Sequence, residues 1–522
     1  MNLKKTLMTT LHALALCACS SGNVNGYAIE KQDVAGGSAF YEIFVGSFCD
    51  SNGDGIGDLR GIESKLDYLK DLGVSYLWLT PVHPSPSYHK YDVKDYYAID
   101  PSFGTLADFD SLVKSAKDKG IGIIMDMVFN HTSVQSEWFD KFCKATSVDD
   151  PYATYYSTSR SAKAGYTYIN KASAYVETNF SPDMPELNLK NPSVIAELVK
   201  VQDYWLEKGV AGFRYDAVVY YFCENVGGKI VGDTEKNVAV MRQLADAARA
   251  KKSDVYLVGE AWVDDQNTIA SYAGSTMNAF NFPTSGVDGS GTAGEIVLDG
   301  GPSAFSKSVV EANKKIKEAN PNGDLCFFVS NHDQDRWGSF RSGRANDVEA
   351  RKVIASAYLL TPGTPFMYYG EEISMLGTRT SKSTDAERRQ AMVWGEGEAM
   401  CKQPENVAVP TQVEKGVKES LEDGWSTLNH YRKVLSIRNK YKDVFHKGSF
   451  EALDFGYERA CGFKITENGQ TYYLVHNCYK EALTLKVEGA TAILENIETT
   501  KSSASLKDGS VTIPPFSSVF MR

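Results

Sequence analysis

The chain has no excess of basic residues, no paired-cysteine spacing and no low-complexity tract, and each absence closes off a class of function. With a net charge of -11 over 522 residues and a pI near 5.4, no basic face exists to neutralise phosphates, which argues against nucleic-acid binding. Lysines are scattered, so no electrostatic membrane patch is indicated. Beyond Cys17 and Cys19, the cysteines are Cys49, Cys143, Cys223, Cys326, Cys401, Cys461 and Cys478. They are odd in number and none stand in a CxxC-type spacing, so neither a zinc site nor a disulfide framework is signalled. They read instead as small buried hydrophobes. The apolar run from Leu7 to Ala18 is too short to span a bilayer.

What is present describes a large folded enzyme. At 43% hydrophobic residues the chain can bury a full barrel plus one or two smaller modules. Its 29 Tyr, 24 Phe and 7 Trp suit stacking on sugar rings, although most aromatic side chains belong in interiors. Lys4 and Lys5 precede the apolar run, and Leu16-Cys17-Ala18-Cys19 resembles the lipobox of bacterial lipoprotein signal peptides. Residues 1–18 are then a signal peptide, and residues 19–35, rich in Ser, Gly and Asn, are a tether carrying lipid on Cys19. That implies an exported, membrane-anchored lipoprotein; the alternative is an ordinary secretory signal, an incidental Cys19 and a released protein.

Strand and helix patterns alternate along the middle of the chain. Phe40–Val45, Tyr76–Leu79 and Ile121–Val128 read as strands, separated by a helix whose face is marked by Ile62, Leu66, Leu69 and Leu72 and by a second helix over 106–119. From His131 to about Lys190 the periodicity breaks, which reads as an inserted subdomain. Alternation resumes with a helix after Pro192 and strands ending at Asp216, Glu260 and Ser330, a weakly marked strand near Met277–Asn281, and a last one over 366–369. The fold expected is α/β: a (β/α)8 barrel over 36–130 and 191–441, an inserted subdomain over 131–190 after the third strand, and a C-terminal antiparallel β-sandwich over 442–522. Phe455, Tyr457, Tyr472, Tyr473 and Tyr479 are expected to fill that sandwich and its contact with the barrel.

Three acids close short apolar runs: Asp216 in Gly212–Asp216, Glu260 in Tyr256–Glu260 and Asp333 in Phe327–Asp333. A buried strand ending in a charge delivers that side chain to the open face where parallel barrels keep their chemistry. Three carboxylates converging there point to glycoside hydrolysis. Arg214 lies two residues before Asp216, so both side chains leave the strand on one face, and a guanidinium there would keep Asp216 ionised. A partner acid must instead keep its proton, which burial and neighbouring carboxylates would favour.

These segments resemble glycoside hydrolase family 13, the α-amylase family, in the family's order. Asp126-Met-Val-Phe-Asn-His131, Gly212-Phe-Arg-Tyr-Asp216, Glu260, Asn331-His-Asp333 and Gly363-Thr-Pro365 with Tyr369-Gly-Glu-Glu372 carry the likeness, from Tyr41 to about Trp394. The resemblance implies that Asp216 is the nucleophile, Glu260 the general acid and then base, and Asp333 a transition-state stabiliser. It implies that His332 and His131 donate to the same sugar ring, that Tyr91 in Tyr91–Tyr96 stacks on the sugar, and that Asp92 braces the loop or Arg214. It also implies an α-glucan substrate, and the chain is expected to be a monomer.

Asp50-Ser-Asn-Gly-Asp-Gly-Ile-Gly-Asp58 sets oxygen side chains at every second position, the way a hard divalent cation is wrapped. Asp50, Asn52, Asp54 and Asp58 would ligate Ca²⁺ by side chain and Ile56 by carbonyl, a structural ion; the alternative is an Asx-rich solvated turn. The resemblance adds Asn130 as a ligand of a second calcium. Ala217 after the nucleophile, and Met184-Pro-Glu-Leu-Asn188, resemble members that cleave α-1,4 bonds in starch or maltooligosaccharides. Val219-Tyr220 departs from the Lys-His common in α-amylases, removing a cation and an imidazole from the acceptor side. An exo-acting α-glucosidase, an oligo-1,6-glucosidase or a glucan-transferring relative would share every catalytic residue. A non-catalytic glucan-binding relative would have lost one of the three acids, and none is lost.

Overall fold

Eight short strands, hydrogen-bonded side by side in parallel, close on themselves in a computed structural model that describes residues 26–275, 277–286, 301–339, 348–380, 384–407, 415–456 and 459–522. They are Phe40–Ile43, Tyr76–Leu79, Gly122–Met127, Gly212–Tyr215, Tyr256–Gly259, Asn278–Phe280, Leu325–Phe328 and Thr364–Tyr368. Their near-continuous apolar sequences suit strands covered on both faces. Inside the barrel, Phe40, Trp78, Ile124, Val258, Phe280, Phe328 and Phe366 form one buried cluster, with Phe40 stacked on Tyr76 at 4.4 Å and on Phe366 at 4.5 Å. Aromatic rings therefore plug the barrel, as expected for most of them.

Helices between strands start where their caps dictate. Thr105 and Asp108 form a reciprocal capping box at the head of Leu106–Asp118, and Asn191 caps Pro192–Glu207, whose proline occupies the first turn. The face marked by Ile62, Leu66, Leu69 and Leu72 is shared between two helices, Leu59–Ser64 and Leu66–Leu72, with the break at Lys65. The first strand ends at Ile43, two residues before its expected limit, because Val45–Phe48 turns into a short helix.

The inserted segment carries a helix, Glu137–Lys144, and a three-stranded antiparallel sheet of Thr158–Ser159, Ala174–Glu177 and Tyr166–Ile169. At the C-terminus a five-stranded and a three-stranded antiparallel sheet enclose Tyr473, Val475, Leu485, Val511, Ile513 and Val519. Phe455 and Tyr479 pack against that cluster, Tyr472 stacks on Phe520, and Tyr457 lies outside the described residues.

Two expectations change. Helical structure does not stop at Tyr441: Lys442–Lys447 forms a further helix, too short to leave a periodic signature, that buries Val444 and Phe445. Residues 26–35, expected as tether, lie against the helix Thr427–Lys440. Tyr27 N–H donates to the Gly424 carbonyl, the Gln32 amide donates to the Arg432 carbonyl, and Val34 is fully buried. The Ser, Gly and Asn residues of 19–35 all fall within 20–26, and the anchoring side chains follow them. Among the described residues no helix is long and apolar enough to cross a membrane.

Candidate active site

The aromatic plug stops below the C-terminal mouth of the barrel, and the next inward side chains are charged. Asp126 and Arg214 are register partners on the third and fourth strands, and both are buried, as is Glu42 at the end of the first. Asp216, Glu260 and Asp333 follow just beyond their strand ends. One guanidinium ties most of this together: Arg214 Nη1 lies 2.8 Å from Asp126 Oδ1 and 2.7 Å from Asp216 Oδ1, and Nη2 lies 2.8 Å from Glu260 Oε1. The planar fork thus holds Asp216 and Glu260 side by side through its two nitrogens.

Just past Asp216 the backbone turns sharply. Ala217 takes a positive φ of 49°, a left-handed conformation uncommon outside glycine, and its N–H donates to Glu260 Oε2 at 3.0 Å. That bond and the contact with Arg214 fix both carboxyl oxygens of Glu260.

A second network holds Asp333. His332 is fully buried, with Nδ1 at 2.5 Å from Glu42 Oε1 and Nε2 at 3.0 Å from Asp333 Oδ2 and 2.6 Å from the Tyr91 hydroxyl. That hydroxyl donates to Asp126 Oδ2 at 3.0 Å, joining the two networks. Arg389 Nη2 meets Asp333 Oδ1 at 2.6 Å.

Charge follows from these contacts. Burial pushes the Asp216 carboxyl up to about 6 against the pull of Arg214. Burial, again opposed by Arg214 but aided by Asp216 and Asp333, pushes Glu260 up to about 7. Burial alone would discharge His332, yet Asp333 and Glu42 raise it to about 10, so it is an imidazolium. Burial also disfavours ionised Asp333, but His332 and Arg389 hold it well below the usual carboxylate range. Near neutrality Asp333 is therefore ionised, and of the two carboxyls on Arg214 Glu260 holds a proton more readily than Asp216.

A cleft of about 900 Å³ opens over these groups, lined by Asp216, Glu260, Asp333, Tyr91, His131 and His89 among others. Of the residues expected to contact substrate, Tyr91 lies in the cleft, its ring parallel to that of His332 with centroids 5.4 Å apart. Arg214 and His332 do not line it: both lie in the buried layer, and the Nε2 of His332 is engaged by Tyr91 and Asp333. Their contacts are with carboxylates, because burying a cation here requires that pairing. His131 lines the cleft but its Nε2 meets the Tyr91 carbonyl at 3.2 Å, and burial keeps the ring neutral, with a pKa near 4. Asp92 braces the loop, accepting from the hydroxyls of Ser85 and Ser87; Arg214 is braced by Asp126 instead.

Sequence reasoning assigned no role to Asp126, Glu42 or Arg389. A charge inside a buried strand was the available signal for the first two; Arg389 opens Arg389-Gln-Ala-Met392-Val-Trp394, a stretch that resembles oligosaccharide-acting relatives, but its pairing with Asp333 was not legible there. Trp262, two residues after Glu260, is another: it stacks on Phe282 at 4.7 Å and lines the cleft while remaining 37% exposed.

The loop after the first strand folds on its own oxygens. Asp50 Oδ1 accepts from the backbone of Asn52 and Gly53 and its Oδ2 from Gly55, Asn52 accepts from Asp54 N–H, and Asp54 accepts from Ile56 N–H. Asp58 accepts from Ser51 and caps the helix Leu59–Ser64 through Gly61 N–H at 2.7 Å. Gly53 and Gly55 take φ of 85° and 93°, which only glycine adopts without strain. The donor set suits a hard cation in that every candidate ligand is an oxygen, although both Asp58 oxygens are already engaged by Ser51 and Gly61. The Lys402 ammonium donates to the Asp54 carbonyl at 2.7 Å beside the same loop.

Asn130 instead turns its side chain to Glu186, which with Glu177 and Cys223 forms a group whose ligand atoms lie within 4.8 Å of one another. A thiol in the set departs from the all-oxygen shells calcium takes. Burial and the Glu177 charge push Glu186 up to about 8.

Comparison with known proteins agrees with this geometry. A family model described as "Alpha amylase, catalytic domain" matches residues 42–448. The chain is 35% identical over 448 residues to "Alpha-amylase 3" of Dictyoglomus thermophilum, covering 84% of each chain. It is 29% identical over 511 residues to an oligo-1,6-glucosidase of Halalkalibacterium halodurans, covering 85% of this chain and 90% of that one. Among solved structures, Eubacterium rectale Amy13B superposes with a TM-score of 0.86 at 32% identity, over 94% of this chain and 97% of that chain.

Proposed function

Because the chain belongs to glycoside hydrolase family 13, the α-amylase family, and is a retaining glycosidase, we propose that it hydrolyses α-1,4-glucosidic bonds in starch, maltodextrins or maltooligosaccharides. The observation that carries this reading is the pair Asp216 and Glu260 held on one guanidinium at the floor of the cleft. A retaining mechanism needs two carboxyls about 5 Å apart, one ionised to attack the anomeric carbon and one protonated to release the leaving oxygen. Asp216 is the nucleophile and forms the glycosyl-enzyme bond. Glu260 protonates the departing oxygen and then, as its carboxylate, takes the proton from the incoming water. Asp333, held ionised, binds hydroxyls of the distorted sugar and stabilises the oxocarbenium-like transition state. Tyr91 supplies the stacking platform, and Arg214 and His332 set the charge and position of these acids from beneath.

The α-1,4 preference is supported by Ala217, whose small side chain leaves room beside the nucleophile, and by the likeness to an α-amylase. The oligo-1,6-glucosidase among the relatives supports a second reading, exo-acting cleavage of α-1,6 linkages or glucan transfer. The product distribution from maltoheptaose, compared with isomaltose and with an Asp216→Asn variant as control, separates them. Internal fragments from maltoheptaose support the first reading; glucose from isomaltose with little action on maltoheptaose overturns it.

The loop over 50–58 is proposed to hold a structural Ca²⁺ through Asp50, Asn52, Asp54, Asp58 and the Ile56 carbonyl, an ion that would pin the barrel mouth without entering the chemistry. Lipid on Cys19 is proposed to anchor the exported chain. Cys19 lies outside the described residues; partition of a Cys19→Ala variant into detergent as readily as wild type would overturn the anchor.

A further inference from the structure

The wall of the cleft that follows Asp216 runs through Val219 and Tyr220 and continues into a β-hairpin. Its strands, Cys223–Val226 and Lys229–Gly232, pair antiparallel and bring Gly228, Lys229 and Ile230 to the cleft alongside Val219, Tyr220 and Glu260. This is the leaving-group side. Residues 217 and 218 wrap the proton donor, Ala217 N–H bonding to Glu260 Oε2 and Val218 N–H to its carbonyl at 3.1 Å.

The hairpin has a fixed base and an open tip. At the base, Asp233 N–H donates to the Phe222 carbonyl at 2.7 Å, and buried Asn237 accepts from Phe222 N–H at 2.7 Å while donating to the Val219 carbonyl at 3.0 Å. A Cβ on Gly232 would meet Val219 Cγ1 at 2.7 Å, so glycine lets the returning strand lie against Val219. The outgoing strand leans on the inserted subdomain, where the Asn179 amide donates to Cys223 Sγ at 3.6 Å. At the tip, Gly227 and Gly228 take φ of 60° and 84°, and a Cβ on either would meet nothing within 4 Å.

Lys229 is the first residue after that turn, exposed and without an ion pair among the described residues. The other cations lining the cleft are committed, Arg379 to Asp385 at 2.9 Å and Arg389 to Asp333 at 2.6 Å. We propose that Lys229 is an acceptor-side specificity residue, its ammonium donating hydrogen bonds to glucosyl hydroxyls beyond the scissile bond from the tip of this hairpin. The inference rests on the reading of this cleft as an α-glucan site. An ammonium has three donors and sugar hydroxyls accept in many directions, so a lysine at a glycine-flanked tip can serve a neutral substrate through hydrogen bonds rather than long-range attraction.

The test compares Lys229→Ala and Lys229→Gln on maltoheptaose and on an aryl α-maltoside whose leaving group ends at the aryl ring. Lys229→Ala is expected to lower kcat/KM for maltoheptaose about tenfold, mainly through KM, with Lys229→Gln recovering part of it and the loss on the aryl substrate staying below about twofold. Equal losses on both substrates, or none on maltoheptaose, overturn the proposal. If wild type releases nothing from any α-glucan, the reading of the cleft fails instead.

Discussion

The two walls of the cleft are built by different means. On the nucleophile side, Asp216 and Asp333 rise into the cleft beyond barrel strands, and Asp126, Arg214 and His332 hold them from the buried layer beneath, each buried charge held by another. On the leaving-group side, Tyr220 lies in the segment after Asp216, Lys229 and Ile230 come from a hairpin and Phe180 from the inserted subdomain, and Phe180 remains 45% exposed while its ring lies tilted against Tyr220 at 4.3 Å. The difference teaches where each property resides. Bond-breaking needs charges whose protonation is set in advance, which requires burial and rigid strand ends. Choice among glucans needs only donors and rings along a rim, which loops can vary freely.

The comparison breaks most readily at Asp216. Its replacement by Asn should lower kcat by at least about 10³-fold, since no other carboxyl on that wall is placed to attack, and full activity of the variant would end the assignment. Arg214→Gln should cost about 10²-fold in kcat. It should also move the acidic limb of the pH profile upward, because removing the guanidinium lets the Asp216 pKa rise above about 6. A limb that stays in place would show that Arg214 does not set this charge.

In wild type the sign is fixed by the two carboxyls. Activity needs Asp216 ionised and Glu260 protonated, so kcat/KM should fall below about 6 and again above about 7. A plateau from pH 5 to 9 would contradict the division of roles. The smallest effect is expected away from both walls: a chelator should lower Tm by several degrees through the loop 50–58 while leaving kcat nearly unchanged at a temperature where the fold persists. An unchanged Tm counts against the ion.

How much could be read from the chain follows the same division. Asp216, Glu260 and Asp333 were legible because each ends an apolar run, and the strands themselves were legible because buried parallel strands are apolar throughout. Asp126 was visible as a charge inside a strand, yet its role as the brace of Arg214 needed the register between the third and fourth strands. Arg389 reaches Asp333 across 56 residues and His332 reaches Glu42 across 290, pairings no local pattern encodes. Residues 26–35 were misjudged as tether because one buried valine and a few hydrogen bonds outweigh a polar composition.

By itself the sequence determined a closed barrel of apolar strands with acids at three of their ends, because alternating strands and helices can bury their faces in few ways and a charge at a strand end must reach water or a partner. Only the tertiary structure decided which neighbours set the protonation of those acids, which histidine lies beneath the site rather than in it, and where a free lysine meets the cleft. Those properties depend on distances between residues far apart in the chain, and protonation responds to the sum of burial and neighbouring charge at one point in space.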